Sequence, residues 1–265
     1  MLTHFAKAIW SYRNFIFATM RSEFKGRYAR SRIGAAWFIL HPLAQATIFT
    51  VVLSEILSAR LPGSTDKSSY ALYLMSGIAA WSIFGEILNR CTGVFIEFSG
   101  TLKKMSFPRI TLPIIVGGTA LINHALLLIS IFVIFLFFGK APGVATIFLP
   151  IGLLFIIMLA LGIGLILGIL NVFSRDVAQV TNVVFQFWFW LTPIVYVPDV
   201  LPERFKWLVE YNPMSPLVGV YQQALVWDKP PDWHSLAMPA IVAFLLLTLA
   251  LFLFRSASAD LVDEL

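Results

Sequence analysis

Six stretches of the chain are long and apolar enough to cross a lipid bilayer as helices. They cover residues 33–57, 70–95, 112–138, 144–170, 177–197 and 236–254. A transmembrane helix needs about 20 mostly apolar residues, and each stretch comes close to that length or exceeds it. Only 12% of the residues are charged, against about 25% in soluble domains. The sequence therefore predicts an all-α integral membrane protein with about six transmembrane helices.

The fifth stretch is the least regular of the six. Pro193 and Pro198 interrupt it, and the semi-apolar segment 201–226 that follows is able to fold back into the bilayer. Totals of five or seven spans therefore remain open. Between spans five and six, the prolines predict two short re-entrant or outward-side helices that start at Pro202 and at Ser215-Pro216.

The distribution of positive charge predicts the orientation. Six spans place both termini on one side of the membrane, and thirteen of the Lys and Arg residues fall on that side against six on the other, together the 19 of the chain. The positive-inside rule puts that side in the cytoplasm. Residues 1–32 then form a basic cytoplasmic segment, 33–257 the transmembrane domain and 258–265 a cytoplasmic tail. The positive charge requires no nucleic-acid partner, and the sequence has no nucleic-acid-binding motif.

The chain lacks the motifs of several chemistries. Its single cysteine, Cys91, excludes an internal disulfide and leaves too few thiolates for a zinc or iron–sulfur site, so no metal is expected. The sequence contains no G-x-x-x-x-G-K-[ST] loop, no H-E-x-x-H and no G-x-S-x-G. We expect a chain that is not an enzyme and binds no cofactor. If transport is driven by ATP, then ATP and Mg²⁺ are bound by another subunit.

The N-terminal segment has an apolar pattern on one side. Six residues recur at spacings of three and four, namely Phe5, Ile9, Tyr12, Ile16, Met20 and Phe24. This pattern predicts an amphipathic helix, and the basic residues around it favour the inner leaflet of the membrane. The alternative is a basic tail that acts only as a topology signal. The cytoplasmic loop 97–113 predicts either a short helix that contacts a soluble partner or an ordinary positively charged loop.

Polar residues inside the predicted spans are candidates for function, because such residues usually face a helix bundle or a watery path. Glu86, Asn89 and Arg90 share one face of the second span, and Glu86 can pair with Arg90. Their alternative role is a helix-packing ion pair without contact to cargo. In the fourth span, Ala160, Gly164 and Gly168 form a small-residue face that predicts close helix contact.

The fifth span carries a continuous polar face that begins at Arg175. We use the name polar stripe for the four residues that follow at spacings of three and four, which are Gln179, Asn182, Gln186 and Trp190. Amides form hydrogen bonds with hydroxyl groups, and an indole ring offers a stacking platform, so the stripe can line a channel for a hydroxyl-rich substrate. The alternative is a set of interhelical hydrogen bonds between protomers.

Three separated motifs resemble the membrane-spanning subunits of ABC-2 type polysaccharide exporters. The first runs RSEFKGRYARSRIGAAW over 21–37 and continues with His41-Pro42, similar to the family's R-Y-x-x-S-x-L-G-x-x-W pattern with Ile33 in place of leucine. The second is KMSFPR over 104–109 with Leu112-Pro113. The third comprises Ser174-Arg-Asp176, Pro193 and Asn212-Pro213. The resemblance covers nearly the whole chain.

This resemblance implies a homodimer in the bacterial inner membrane, docked on two ABC ATPase subunits. Such an exporter moves a lipid-diphosphate-linked polysaccharide, of the O-antigen or capsule kind, and serves lipopolysaccharide biosynthesis. The resemblance assigns ATPase coupling to Leu102, Lys103, Lys104, Met105, Phe107 and Pro108. Attraction of the substrate headgroup is assigned to Arg27, Arg30, Arg32 and His41. The segment 1–25 would guard access of the substrate.

Two other functions remain open at this point. A small-molecule or drug exporter of the ABC-2 type would use a similar helix bundle without an aromatic path. A membrane scaffold of a glycan-synthesis complex would transport nothing. In a polysaccharide exporter, the polar stripe together with Glu86 and Asn89 would line the channel.

Overall fold

The computed structural model describes residues 10–28, 67–104, 107–137, 139 and 141–257, together with positions 37, 40, 44 and 48. Nearly all of these residues are helical, and the described ranges contain no β-strand. The helices are α1 (Arg13–Tyr28), α2 (Lys67–Glu97), α3 (Ser99–Lys104), α4 (Thr111–Phe137), α5 (Leu149–Phe173), α6 (Asp176–Leu191), α7 (Lys206–Glu210), α8 (Met214–Val226) and α9 (Trp233–Ala257). The predicted first span, 33–57, and the tail 258–265 lie outside the described residues, apart from the four single positions.

Four helices of the described chain are long and apolar enough to cross a membrane. They cover Ser69–Glu97, Thr111–Leu136, Val144–Phe173 and Trp233–Ala257, in which a 3₁₀ turn over Val144–Phe148 leads into α5. The predicted spans 70–95, 112–138, 144–170 and 236–254 coincide with these helices to within three residues. The all-helical membrane architecture is therefore confirmed, whereas the total of six spans stays a prediction.

The predicted fifth span, 177–197, is helical only as far as Leu191, so the interruption predicted at Pro193 is confirmed, and its role as a membrane span stays a prediction. Helix α6 has 16 residues and ends at Leu191, which makes it about 24 Å long at ~1.5 Å per residue, shorter than the ~30 Å hydrocarbon layer. Thr192 adopts an extended conformation immediately before Pro193. A proline disfavours helical geometry in the residue before it, so the helix ends where the sequence places this proline.

Two short helices follow α6, as predicted for the segment between spans five and six. Pro202 precedes a 3₁₀ turn over Glu203–Phe205 that continues into α7. Helix α8 begins at Met214, one residue before the predicted cap at Ser215. The side-chain Oδ1 of Asn212 accepts the backbone N–H of Met214 at 3.0 Å, so Asn212 binds the helix start in place of Ser215. Helix α8 is buried along most of its length and packs on α2 and α5.

Helix α2 lies at the centre of the described bundle. It contacts α4, α5, α6 and α8, and most of its apolar side chains are fully buried. Its approach to α5 is closest at Gly164 and Gly168. A Cβ added at Gly164 would lie 2.7 Å from the Cβ of Cys91, and a Cβ added at Gly168 would overlap the Cys91 carbonyl oxygen. The small-residue face predicted for span four therefore does allow close contact between these helices.

We expect Gly168→Ala to destabilise the protein by about 1–3 kcal/mol, because the new methyl group must displace the backbone of α2. The measurement is the thermal unfolding of the purified variant in detergent. Gly93→Ala is the matched control, since nothing lies within 4 Å of a Cβ built at Gly93 on the facing helix. Equal unfolding temperatures for the two variants would show that the two helices do not depend on this close approach.

Candidate functional site

The polar stripe lies on the open side of α6. Gln179, Asn182, Gln186 and Trp190 are all exposed, and the Trp190 side chain has a relative exposure of 57%. The predicted common face is therefore confirmed for all four residues. No described residue covers this face, so it is available to a substrate, to a second protomer or to lipid.

The opposite side of α6 is fixed to α2 by aromatic rings. Trp81 stacks on Phe185 with ring centroids 4.7 Å apart, and Phe84 meets Trp188 edge-on at 5.2 Å. A Cβ at Gly85 would overlap the Phe185 ring, so the glycine lets the two helices come this close. Sequence reasoning missed this aromatic cluster, although Phe185 and Trp188 follow the three-residue spacing of a helix face. The cluster holds the polar stripe at a fixed orientation relative to the centre of the bundle.

The chain that leaves α6 is bound by side chains from two other helices. The Tyr70 hydroxyl donates to the Val195 carbonyl at 2.7 Å, and the Tyr73 hydroxyl lies 3.0 Å from the carbonyls of Pro193 and Tyr196. The Gln222 amide of α8 also donates to the Pro193 carbonyl, at 3.0 Å. Backbone carbonyls outside regular secondary structure are costly to leave without partners in an apolar environment, and these hydrogen bonds satisfy three of them.

Asn212 links the same region to the start of α8. Its Oδ1 accepts the indole N–H of Trp188 at 2.9 Å, and its Nδ2 donates to the Thr192 hydroxyl at 2.9 Å. Asn212 is buried, so its amide is committed to these protein partners. The sequence motif Asn212-Pro213 is therefore a structural junction between the end of α6 and the beginning of α8.

A charge network joins α1, α2 and α4. Arg90 Nη2 lies 2.5 Å from Glu23 Oε2, and Arg90 Nη1 lies 3.7 Å from Glu86 Oε1. Asn123 Nδ2 donates to Glu86 Oε1 at 2.6 Å, and the Thr119 hydroxyl lies 3.2 Å from Glu23 Oε2. The predicted Glu86–Arg90 pair is confirmed, but Glu23 is the closer partner of Arg90.

Sequence reasoning missed Glu23 in this network, because it treated the N-terminal helix and the spans as separate parts. The available signal was a carboxylate that lies three residues after the apolar Met20 and between two basic residues, Arg21 and Lys25. Asn89 is half-buried on α2, next to Arg90 in the chain. A role of Glu86 and Asn89 in lining a channel stays a prediction.

The apolar face predicted for the N-terminal helix packs against protein. Ile16 and Met20 of α1 are buried beside Ile115 of α4, and a Cβ at Gly118 would lie 2.5 Å from the terminal methyl of Met20. Phe15 contacts Phe107 of the predicted coupling segment, with ring centroids 5.2 Å apart. Helix α1 therefore contacts α4 through Ile16 and Met20, and it contacts the segment after α3 through Phe15. A position of α1 on the inner leaflet stays a prediction.

The predicted coupling residues lie around a short helix. Leu102 is half-buried and Lys103 exposed on α3, and Phe107 and Pro108 are half-buried in the segment that leads to α4. Lys104 ends α3, and Met105 lies outside the described residues. Among the residues assigned to headgroup attraction, Arg27 occupies the last turn of α1, while Arg30, Arg32 and His41 lie outside the described residues.

These features define a polytopic helical membrane protein in which one short helix presents a polar face beside a tightly packed bundle. The chain belongs to the ABC-2 type transporter family, whose model matches residues 14–226. It is therefore an ABC-2 type permease.

Several relatives are named for polysaccharide export. The chain is 27% identical over 238 residues to the O-antigen export system permease protein RfbA of Klebsiella pneumoniae, with 88% of each chain covered. It is 23% identical over 261 residues to RfbA of Myxococcus xanthus, with 98% of each covered. The polysialic acid transport protein KpsM of Escherichia coli is 22% identical over 239 residues, which are 88% of this chain and 90% of that protein.

We expect Glu23→Ala to lower the stability of the protein by about 1–2 kcal/mol, because it leaves the partly buried Arg90 with only the more distant Glu86. The measurement is the thermal unfolding of the purified variant. Glu203→Ala is the control, since Glu203 pairs with Lys206 at an exposed position and such pairs contribute little. A loss that is the same for both variants would contradict a special role of Glu23.

Proposed function

We propose that this chain is the membrane-spanning subunit of an ATP-driven exporter that moves a lipid-diphosphate-linked polysaccharide across the inner membrane. Two copies of the chain would assemble with two copies of an ABC ATPase, which would bind ATP and Mg²⁺. Both termini would lie in the cytoplasm. The names of the relatives support a polysaccharide as cargo.

The exposed polar stripe on α6 is the observation that carries the proposal. Its three amides and one indole are directed away from the bundle, and the aromatic cluster on the other side of α6 keeps them there. Amides can donate to and accept from sugar hydroxyls, and a flat ring stacks on a sugar without fixing its position along the chain. A sliding polymer needs many weak contacts rather than one tight site.

The short helix α3 and the segment to α4 would receive the motion of the ATPase. Phe107 contacts Phe15 of α1, so a displacement of this segment is passed directly to the N-terminal helix. The same helix carries Glu23, whose carboxylate binds Arg90 of α2. This series of contacts connects the coupling segment to the central helix.

Phe107→Ala tests this connection. We expect the variant to lose transport while the ATPase still hydrolyses ATP.

Arg27, Arg30, Arg32 and His41 would attract the diphosphate headgroup at the cytoplasmic side. A guanidinium group binds phosphate through two parallel hydrogen bonds, which suits it to this role. Replacement of the three arginines by glutamine should weaken export while the protein still inserts and assembles. Failure of the variant to insert would instead identify these arginines as a topology signal.

Deletion of the gene in its host tests the export function directly. We expect lipid-linked long-chain glycan to accumulate on the cytoplasmic face of the membrane and to disappear from the cell surface, because the polymer has no other route. The measurement is the location of the glycan by surface labelling and fractionation. Complementation with the intact chain is the control, and normal surface glycan in the deletion strain would contradict the proposal.

Trp190→Ala should slow export about two- to tenfold in the complemented strain, because the sliding sugar loses an aromatic platform. The measurement is the rate at which new glycan reaches the surface at equal permease levels. Phe187→Ala is the matched control, since Phe187 is an exposed aromatic residue of the same helix with a relative exposure of 68%. A loss of dimer rather than of rate for Trp190→Ala would assign the polar stripe to contacts between protomers.

A further inference from the structure

A cavity of about 310 Å³ lies between α8, the chain that follows α6 and the start of α9. This volume is at the small end of the range for sites that bind small organic molecules, roughly 300–1,000 Å³. The residues with polar side chains that line the cavity are Tyr73, Asp199, Ser215, Gln222, Gln223, Asp232 and Ser235. Pro193 and Val197 also line it, so the cavity adjoins the end of the helix that carries the polar stripe.

The charges of the cavity restrict the ligand. Asp199 and Asp232 contribute carboxylates, and among the described residues that line the cavity there is no Lys or Arg. An anionic ligand would be repelled by the two carboxylates, whereas hydroxyl groups can donate hydrogen bonds to them. The ligand class that these groups favour is therefore neutral and rich in hydroxyls rather than phosphorylated.

Aromatic rings and free space complete the cavity. Trp227 meets Tyr73 edge-on, with ring centroids 5.7 Å apart, and the Trp227 side chain keeps a relative exposure of 39%. An indole that is held at its edge and open to the cavity can lie against the apolar C–H face of a sugar ring. Gly219 also lines the cavity, and nothing lies within 4 Å of a Cβ built there.

We propose that this cavity binds one neutral sugar unit and is a subsite for the exported glycan beside the end of the polar stripe. The sugar hydroxyls bond to the two carboxylates, and the ring lies against Trp227. The assignment to exported glycan rests on the proposed function, because a free sugar offers the same chemistry from a different source.

The test is the binding of methyl glucoside, methyl galactoside and methyl mannoside to the full permease with its ATPase in lipid nanodiscs. Saturation-transfer NMR titrations give the Kd, and methyl glucuronide is the anionic comparison. We expect saturable binding of at least one neutral glycoside, and roughly tenfold weaker binding of its glucuronide counterpart because of the repulsion by two carboxylates. Asp199→Asn should reduce that difference.

Two variants locate the binding. Gly219→Leu fills the cavity from an open position and should raise the Kd at least about tenfold, whereas Gly93→Leu, also built into open space but on α2, should leave the Kd unchanged.

The outcomes separate this inference from the export function. No binding of any neutral glycoside by the wild-type complex, or binding that Gly219→Leu leaves intact, would overturn the cavity as a sugar site, and the gene-deletion result would still decide export. Loss of binding together with slower export in Gly219→Leu supports a subsite for the exported glycan. Loss of binding with an unchanged export rate would overturn that role and assign the cavity to free sugar.

Discussion

The close approach of α5 to α2 is the contact on which the rest of the described bundle depends. Gly164 and Gly168 bring the backbone of α5 against Cys91, and this places the apolar sides of both helices in one continuous core. Helices in lipid gain little from the hydrophobic effect against each other, so van der Waals packing at such small residues supplies much of their association. With α2 enclosed in this way, α4, α6 and α8 pack around it.

The long spans could be predicted from the sequence because length and hydropathy alone define them in a bilayer. The face of the polar stripe and the Glu86–Arg90 pair also followed, since both depend only on helical spacing. Contacts between segments that are distant in the sequence could not be predicted. Examples are the ion pair of Glu23 with Arg90 and the hydrogen bond of Tyr73 to the Pro193 carbonyl. No local pattern indicates which helix will lie beside another, and the start of α8 likewise depends on Asn212 rather than on the Ser215-Pro216 signal.

Helix α6 combines two different surfaces over only 16 residues. One surface is held by the stacked and edge-on rings of Trp81, Phe84, Phe185 and Trp188, and the other carries amides and an indole without cover from the described chain. A rigid support behind an open polar face suits a passage for a moving polymer, because the face keeps its position while the contacts to the cargo are exchanged.

The hydrogen bonds at the end of α6 have a kinetic consequence. Tyr70, Tyr73 and Gln222 come from α2 and α8, yet all three bind carbonyls within the four residues from Pro193 to Tyr196. A displacement of α6 away from its neighbours must therefore break these bonds nearly at the same time. Such a junction resists small thermal displacements, so the C-terminal end of α6 moves away from its neighbours only when all of these hydrogen bonds break together.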